Sequence, residues 1–445
     1  MIKAKNNSKM ELKIYKRALL AAMATFAISM TSFAQTKAPQ TPEPPSSEQF
    51  DDKALQKQMG DLQKQMAKLQ AQMSRLRVEK TKQHITFNAD KFSKAFKETF
   101  KDFGKDFSGS FKGMVPDMSE SFKDLGNHVS ISSGDNEEYK KKVASGEIEE
   151  KVKNYSKTYA VDGNDILQIS NSFGKITVNT WNRNEFKVDV QMKFGGDNAD
   201  AVNDMLNGSS ISDSKSGSVV SFKTSLFKGN TGRNNHQNIE INYTVYMPSG
   251  NGIDINNRFG GVNLPELSGK AVVKVSYGAL NAAALTNSQN EVDVRFGDAN
   301  ITNFNSGRVS VSYGKLKTGA VNNIDADIKF SSIGIERLRG SADVHVKYGD
   351  GFRIGTIDKS VKNITVDASF TKINFDLSQL DNFNFDVTTK FGDFNYDDRI
   401  KITSKSPSDE ERGWSSTKSY KGYAGNSNSS NRIVINASYT GVNFN

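Results

Sequence analysis

VKVSYGAL (residues 273–280), VDVRFGDANI (292–301), VSVSYGKL (309–316) and VHVKYGDGF (344–352) repeat one pattern. Apolar residues alternate with polar ones, an aromatic follows, and a glycine stands behind it. NRFGGVNL (257–264), ADIKFSSIGI (326–335), ASFTKINF (368–375) and TKFGDFN (389–395) extend the series. The aromatics are Phe259, Tyr277, Phe296, Tyr313, Phe330, Tyr348, Phe370 and Phe391, and their numbering steps by 18, 19, 17, 17, 18, 22 and 21. A period of roughly this length, about 20 residues, marks a solenoid, in which each repeat buries its apolar face only by stacking on its neighbours.

The alternation says what points inward. Val273, Val275 and Tyr277 share one face and Lys274 and Ser276 the other, because successive side chains of a strand point to opposite sides. Val292, Val294 and Phe296 keep the same register, as do Val309, Val311 and Tyr313. The expected fold is mainly β: a parallel β-helix with rungs of about 17–22 residues spaced about 4.8 Å apart. Its aromatics would form a column down the core, and the glycine after each would take a corner at positive φ. Asn- and Asp-rich stretches such as NITNFNSG read as further corners. An antiparallel sandwich would need two-residue Asn-Gly or Asp-Gly turns between strands, and these are scarce.

Outward from the repeats, residues 164–194 read as an opening rung with Phe173–Gly174 as its signature, and 199–208 as a short inserted helix. Strands are expected at 218–227 and 238–247, then a Ser/Asn/Gly-rich loop at 405–431 and a closing strand at Arg432–Tyr439. The β-helical domain so defined is 160–445, with 131–159 as a linker before it.

The N-terminal third is different. Residues 1–34 combine a basic head, a short apolar run from Ala18 to Phe26 and a small-residue site at Ala34, the layout of a secretory signal peptide. The apolar run is shorter than the ~20 residues a spanning helix needs, so no transmembrane span is expected in the mature chain. Residues 35–50 hold four of the eight prolines and read as a linker. In 51–82, Leu55, Met59, Leu62, Met66, Leu69, Met73 and Leu76 alternate spacings of four and three. That heptad seam predicts a coiled-coil-like helix and a homo-oligomer through residues 55–76, or a single helix folded back on the body. In 83–130, Phe92, Phe96, Phe100, Phe103, Phe107 and Phe111 form a second helical stripe. Residues 85–126 carry seven lysines and seven acids, so the stripe lacks the basic face of an interfacial helix. Docking on protein is favoured over contact with a membrane.

Charge and chemistry narrow the function. The net charge of +9 falls to +4 once residues 1–34 are set aside, which removes the argument for nucleic acid. The chain has no cysteine, hence no disulfide framework, thiol nucleophile or cysteine-ligated metal. His84, His128, His236 and His345 show no metal-ligand spacing, and no phosphate-binding or dinucleotide glycine pattern occurs. No cofactor is expected. Asp298, Asp350 and Asp393 follow corner glycines and read as turn caps rather than a calcium site. Asp293, Asp327, Asp367 and Asp386 occupy comparable outward positions, interrupted by Ser310 and His345. Trp181 and Trp414 are the only tryptophans, with Tyr420 and Tyr423 as further candidates for an exposed aromatic surface.

ISNSFGKITVNTWNRNEFKVDV (169–190), YTVYMPSGNGIDINNRFGGVNL (243–264) and the SYG and RFG motifs after them resemble the DUF4097-like adhesin family, exported β-helical proteins of Bacteroidota-type bacteria. The resemblance covers roughly residues 160–445 and brings no catalytic motif. It implies a non-enzymatic envelope protein in the periplasm, at the outer membrane or on the cell surface, offering a β-solenoid face to a glycan or protein partner. Two alternatives stand beside it: a periplasmic scaffold or sensor-associated protein docking through the N-terminal helices, and a polysaccharide-active enzyme.

Overall fold

The computed structural model describes residues 129–130, 137–229, 237–408 and 415–445. These all lie in the second of two compact units, Gln63–Asn445. The expected signal peptide, proline-rich linker, heptad seam and phenylalanine stripe fall outside the described residues.

Among the described residues the chain is mainly β, with 26 strands and two helices. Most strands belong to two parallel ladders. In the first, Ala271–Ser276 lies between Gly252–Arg258 and Asn290–Arg295, with Val273 opposite Ile255 and Val292. In the second, Leu280–Leu285 lies between Val262–Leu267 and Asp298–Phe304. Each repeat contributes one strand to each ladder. The longer strands Lys315–Lys329 and Ser332–Lys347 run through both, so the strands form one continuous sheet. Inward side chains of both ladders meet in one core: Val273, Val294, Leu280 and Leu316 are fully buried.

The corner between the ladders departs from expectation. Positive φ, 50–65°, falls on the aromatic itself in ten repeats. A left-handed residue reverses the parity of the strand, so Val273 and Val275 point inward before Tyr277, and Leu280 and Ala282 after it. The expected aromatic column forms, but along the corner, and of its ten rings Phe173 and Phe259 are buried with the core. The rings stack there, most of them half-buried, with centroids 4.7–5.2 Å apart and planes within 13° of parallel. The following glycine is needed for a different reason than φ. A Cβ on Gly278 would lie 2.0 Å from the Gly260 carbonyl oxygen, and one on Gly297 1.6 Å from that of Gly278. Where Ser331 and Thr371 replace glycine, the hydroxyl accepts the Gly314 or Gly349 N–H at 2.9 Å.

The C-terminal repeats stack out of sequence order. Arg432–Ser438 pairs in parallel with both Asn363–Ser369 and Phe383–Lys390. Tyr439 sits in the aromatic stack between Phe370 and Phe391, at 4.7 and 4.9 Å. Phe370 and Phe391, consecutive in the sequence series, are thus not neighbours in the stack.

Three further segments correct the sequence reading. The stretch 131–159 contains a helix, Glu137–Ala144, and most of a strand, Glu149–Ala160, which pairs antiparallel with Glu185–Gly196. Within 405–431, Thr417–Ala424 is a strand between Phe383–Lys390 and Ile400–Ser406. NITNFNSG is likewise mostly strand, inside Asp298–Phe304. The inserted helix lies at Ala199–Gly208, its first turn capped by Asn198, whose Oδ1 accepts the Ala201 N–H. Gln237–Met247 and Val219–Ser225 begin the two ladders, pairing with Ile176–Thr180 and Ile166–Ser172.

The glycine column yields a direct test. Gly278→Ala forces its Cβ onto backbone and should cost about 1–3 kcal/mol, the usual penalty of overpacking. Gly334→Ala, with nothing within 4 Å of its Cβ, should leave the urea midpoint essentially unchanged. Equal losses at both positions would contradict the close-approach argument.

Candidate binding face

The parity switch gives each ladder its own wet face. On the first ladder the outward acids alternate with other residues: Asp293, Ser310, Asp327, His345, Asp367 and Asn436 are successive partners. Arg295 Nη2 lies 3.0 Å from Asp293, and Lys329 Nζ 2.8 Å from Asp327. Asp367 accepts from Asn436 Nδ2 at 3.0 Å and lies 3.3 Å from His345 Nδ1. Asp386 does not join the column, since it pairs with Val434, two positions away from Asn436. The geometry brings no two of these carboxylates together as an acid–base pair.

The second ladder carries a continuous outward row. Thr177 pairs with Asn263, Asn263 with Asn281, and Asn281 with Asn300. The row continues through Lys317, Gly334 and Arg353 to Asn374, Asn443 and Asn395. In the other direction Thr177 pairs with Thr244, Thr244 with Asp189 and Asp189 with Ser156. None of these thirteen positions is buried. At the strand spacing of about 4.8 Å the row is roughly 58 Å long.

The asparagines hold one another in line. Asn281 Nδ2 donates to Asn263 Oδ1 at 3.1 Å and Asn300 Nδ2 to Asn281 Oδ1 at 3.0 Å. Asn443 donates to Asn374 at 2.8 Å and Asn395 to Asn443 at 2.9 Å. Each amide has two N–H groups and two acceptor lone pairs, so a ladder of this kind leaves donors and acceptors facing water at a fixed spacing. Gly261 and Ala279 on one flank and Ala283 and Gly319 on the other keep the neighbouring relief low.

Trp181 and Tyr246 stand near the N-terminal end of this face, both half-buried, with centroids 5.4 Å apart. The Arg183 guanidinium lies 5.1 Å from the Trp181 ring and Lys187 Nζ 5.7 Å from that of Tyr246. Toward the other end lies a cavity of about 360 Å³ lined by Arg353, Ile354, Asn374, Asp376 and Asn445. Tyr420, expected at the surface, is buried against Phe394, and Tyr423 is half-buried under Lys401. Asp393 accepts from Lys418 Nζ at 2.8 Å. No group of three His, Asp or Glu side chains suited to a metal occurs among the described residues. The row itself escaped sequence reading because its members come from separate repeats, and only the pairing register aligns them.

No family model and no curated protein matches the chain. Solved structures similar to it include the following three. One is a "putative cell adhesion protein" from Clostridium sporogenes ATCC 15579, 12% identical over 66% of this chain and 99% of that one, with a TM-score of 0.14. The second is a "putative adhesin" from Bacteroides fragilis NCTC 9343, 10% identical over 66% and 97%, with a TM-score of 0.22. The third is a "putative adhesin" from Parabacteroides distasonis ATCC 8503, 11% identical over 50% and 90%, with a TM-score of 0.23. Likenesses at this level do not establish a family. Among the described residues no helix is long and apolar enough to cross a membrane.

A second polar cluster, also missed from sequence, is fully used by the fold. The hydroxyls of Tyr155 and Tyr159 both donate to the Asp213 carboxylate. These bonds hold Asp213 below its ordinary value, Tyr155 contributing most, and the same contact raises Tyr159 to about 12. A depressed carboxylate stabilises the fold above its unfolded value of about 3.9, and that contribution is lost as pH falls through the folded value. Asp213→Asn should therefore lower the urea midpoint at neutral pH and have little effect in acid below the folded value. An equal loss at both pH values would show that ionisation is irrelevant there.

Proposed function

We propose that the described body is a parallel β-solenoid that binds an extended glycan along the outward row of its second ladder, as an exported, non-enzymatic adhesin of the cell envelope. The observation that carries this reading is the unbroken, mainly polar row, thirteen positions long, that the ladder register creates. Sugar hydroxyls both donate and accept, which suits an amide ladder better than it suits a face of one charge. The row is shallow and presents no acid pair, so it favours holding a polymer over cleaving it. Contacts of this kind are individually weak. A polymer spanning many repeats gains from simultaneous engagement.

Placing a bulky cation in the row tests the reading. Asn281→Arg and Asn300→Arg lie on exposed or half-buried sites and should leave the melting temperature unchanged while weakening retention on neutral polysaccharide columns at least tenfold. Unchanged retention would remove the row from the binding reaction. Protease shaving of intact cells should digest the body without lysis if it faces outward. Protection until the outer membrane is permeabilised would favour the scaffold reading, with docking through Phe92, Phe96, Phe100, Phe103 and Phe107.

The heptad residues Leu55, Met59, Leu62, Met66, Leu69, Met73 and Leu76 supply the proposed multivalency by self-association. Light scattering should find an oligomer for residues 35–445 and a monomer for 83–445. Two monomers at micromolar concentration would end the coiled-coil proposal.

A further inference from the structure

The cavity toward the C-terminal end of the row has a chemistry of its own. Arg353 and Asn374 are successive members of the row, while Asp376 and Asn445 border it on one side. Its volume of about 360 Å³ falls at the small end of the ligand-pocket range of about 300–1,000 Å³. Among the described residues the Arg353 side chain makes no hydrogen bond or ion pair, and it is exposed. Asn374 Oδ1 is occupied by Asn443, whereas its Nδ2 donates to no described residue.

Asp376 is held in place and charged. Its Oδ1 accepts the Ser378 N–H at 3.0 Å, and its own N–H donates to the Ile354 carbonyl at 3.0 Å. The hydrogen bonds from Ser378, aided by the nearby Arg353 and Arg399, keep its carboxyl below the ordinary range. The Arg399 guanidinium is engaged by Asp397 at 2.8 Å. The two charged side chains that line the cavity, Arg353 and Asp376, are of opposite sign.

From this arrangement we infer that the cavity is a subsite for one neutral pyranose unit of the polymer lying along the row, an inference that rests on the binding reading above. A carboxylate accepts hydroxyl protons, and the guanidinium and amide donate to hydroxyl oxygens. A ring with adjacent hydroxyls satisfies all three without bringing a charge. An anionic unit would gain from Arg353 and lose against Asp376. Gly334 before Arg353 and Asn443 beyond Asn374 let the polymer continue on either side.

Calorimetry on the full chain with mannohexaose, cellohexaose and hexagalacturonate tests this, alongside Asp376→Asn, Arg353→Ala and Asn281→Arg. The expected result is a neutral hexamer bound at least tenfold more tightly than hexagalacturonate. Asp376→Asn and Arg353→Ala should each weaken it at least tenfold at an unchanged melting temperature. A neutral hexamer bound equally well by both variants, yet lost in Asn281→Arg, overturns the subsite and leaves the row reading standing. Preference for hexagalacturonate overturns the neutral class. If no hexamer binds while polysaccharide columns retain the protein through Asn281, the subsite falls alone. Failure of every hexamer and every column overturns both.

Discussion

The structure depends on a corner that an L-amino acid ordinarily avoids. Ten aromatics, from Phe173 to Tyr439, hold φ of 50–65°, a conformation that costs roughly 1–2 kcal/mol per residue. Each recovers about 0.5–1.5 kcal/mol from ring stacking beyond the area it buries, but only when the repeats above and below adopt the same corner. The glycines enforce the same condition from the backbone, because the carbonyl of one corner occupies the place of a Cβ in the next. A single repeat would have the strain without the stack. The corner therefore makes the repeats cooperative neighbours rather than independent hairpins.

That corner also governs which side chains face water. Without the parity reversal, the alternation Val273, Val275, Tyr277 would continue and place residue 279 inside and Leu280 outside. With it, Leu280 and Ala282 turn inward and Asn281 outward. The asparagine row of the second ladder is thus a consequence of left-handed aromatics in the corner before it. Burial in the corner raises the phenols of Tyr277, to about 12, and of Tyr313, so both rings stay neutral.

Sequence alone reveals the repeat and the inward residues of the first strand, because both are written at short range, as a regular recurrence of aromatics and a strict alternation between them. It misassigns the corner for an equally local reason. Glycine is the residue that ordinarily takes positive φ, so the pair Tyr277–Gly278 is read with its roles exchanged. Tyr439 is missed because it comes 48 residues after Phe391, far outside the regular step. The interleaving of Arg432–Ser438 between two earlier repeats carries no local mark at all. Pairing across tens of residues decides it, as it decides the strands within 131–159 and 405–431. The candidate row is hidden for the same reason: Asn263, Asn281 and Asn300 look like isolated turn residues until register places them side by side.

Register also explains how a repeat of variable length can support a row of constant spacing. The repeat from Tyr313 to Phe330 is among the shortest, and that from Tyr348 to Phe370 is the longest. The shorter repeat runs as one strand, Lys315–Lys329. The longer one places an extra residue between its aromatic and Phe352, keeps to the second ladder through Ile354 and a bridge of Ile357 to Leu338, and enters the first ladder at Asn363. Phe352 nevertheless pairs with Ile333 on one side and Ile373 on the other, and Arg353 falls in line between Gly334 and Asn374. Length variation is thus discharged into the connections, while hydrogen bonding keeps the ladder in step. The cavity lies beside this longest repeat. Its lining includes Arg353, Ile354 and Asn374, all residues of paired strands, so the ladder register and not the extra chain sets their spacing.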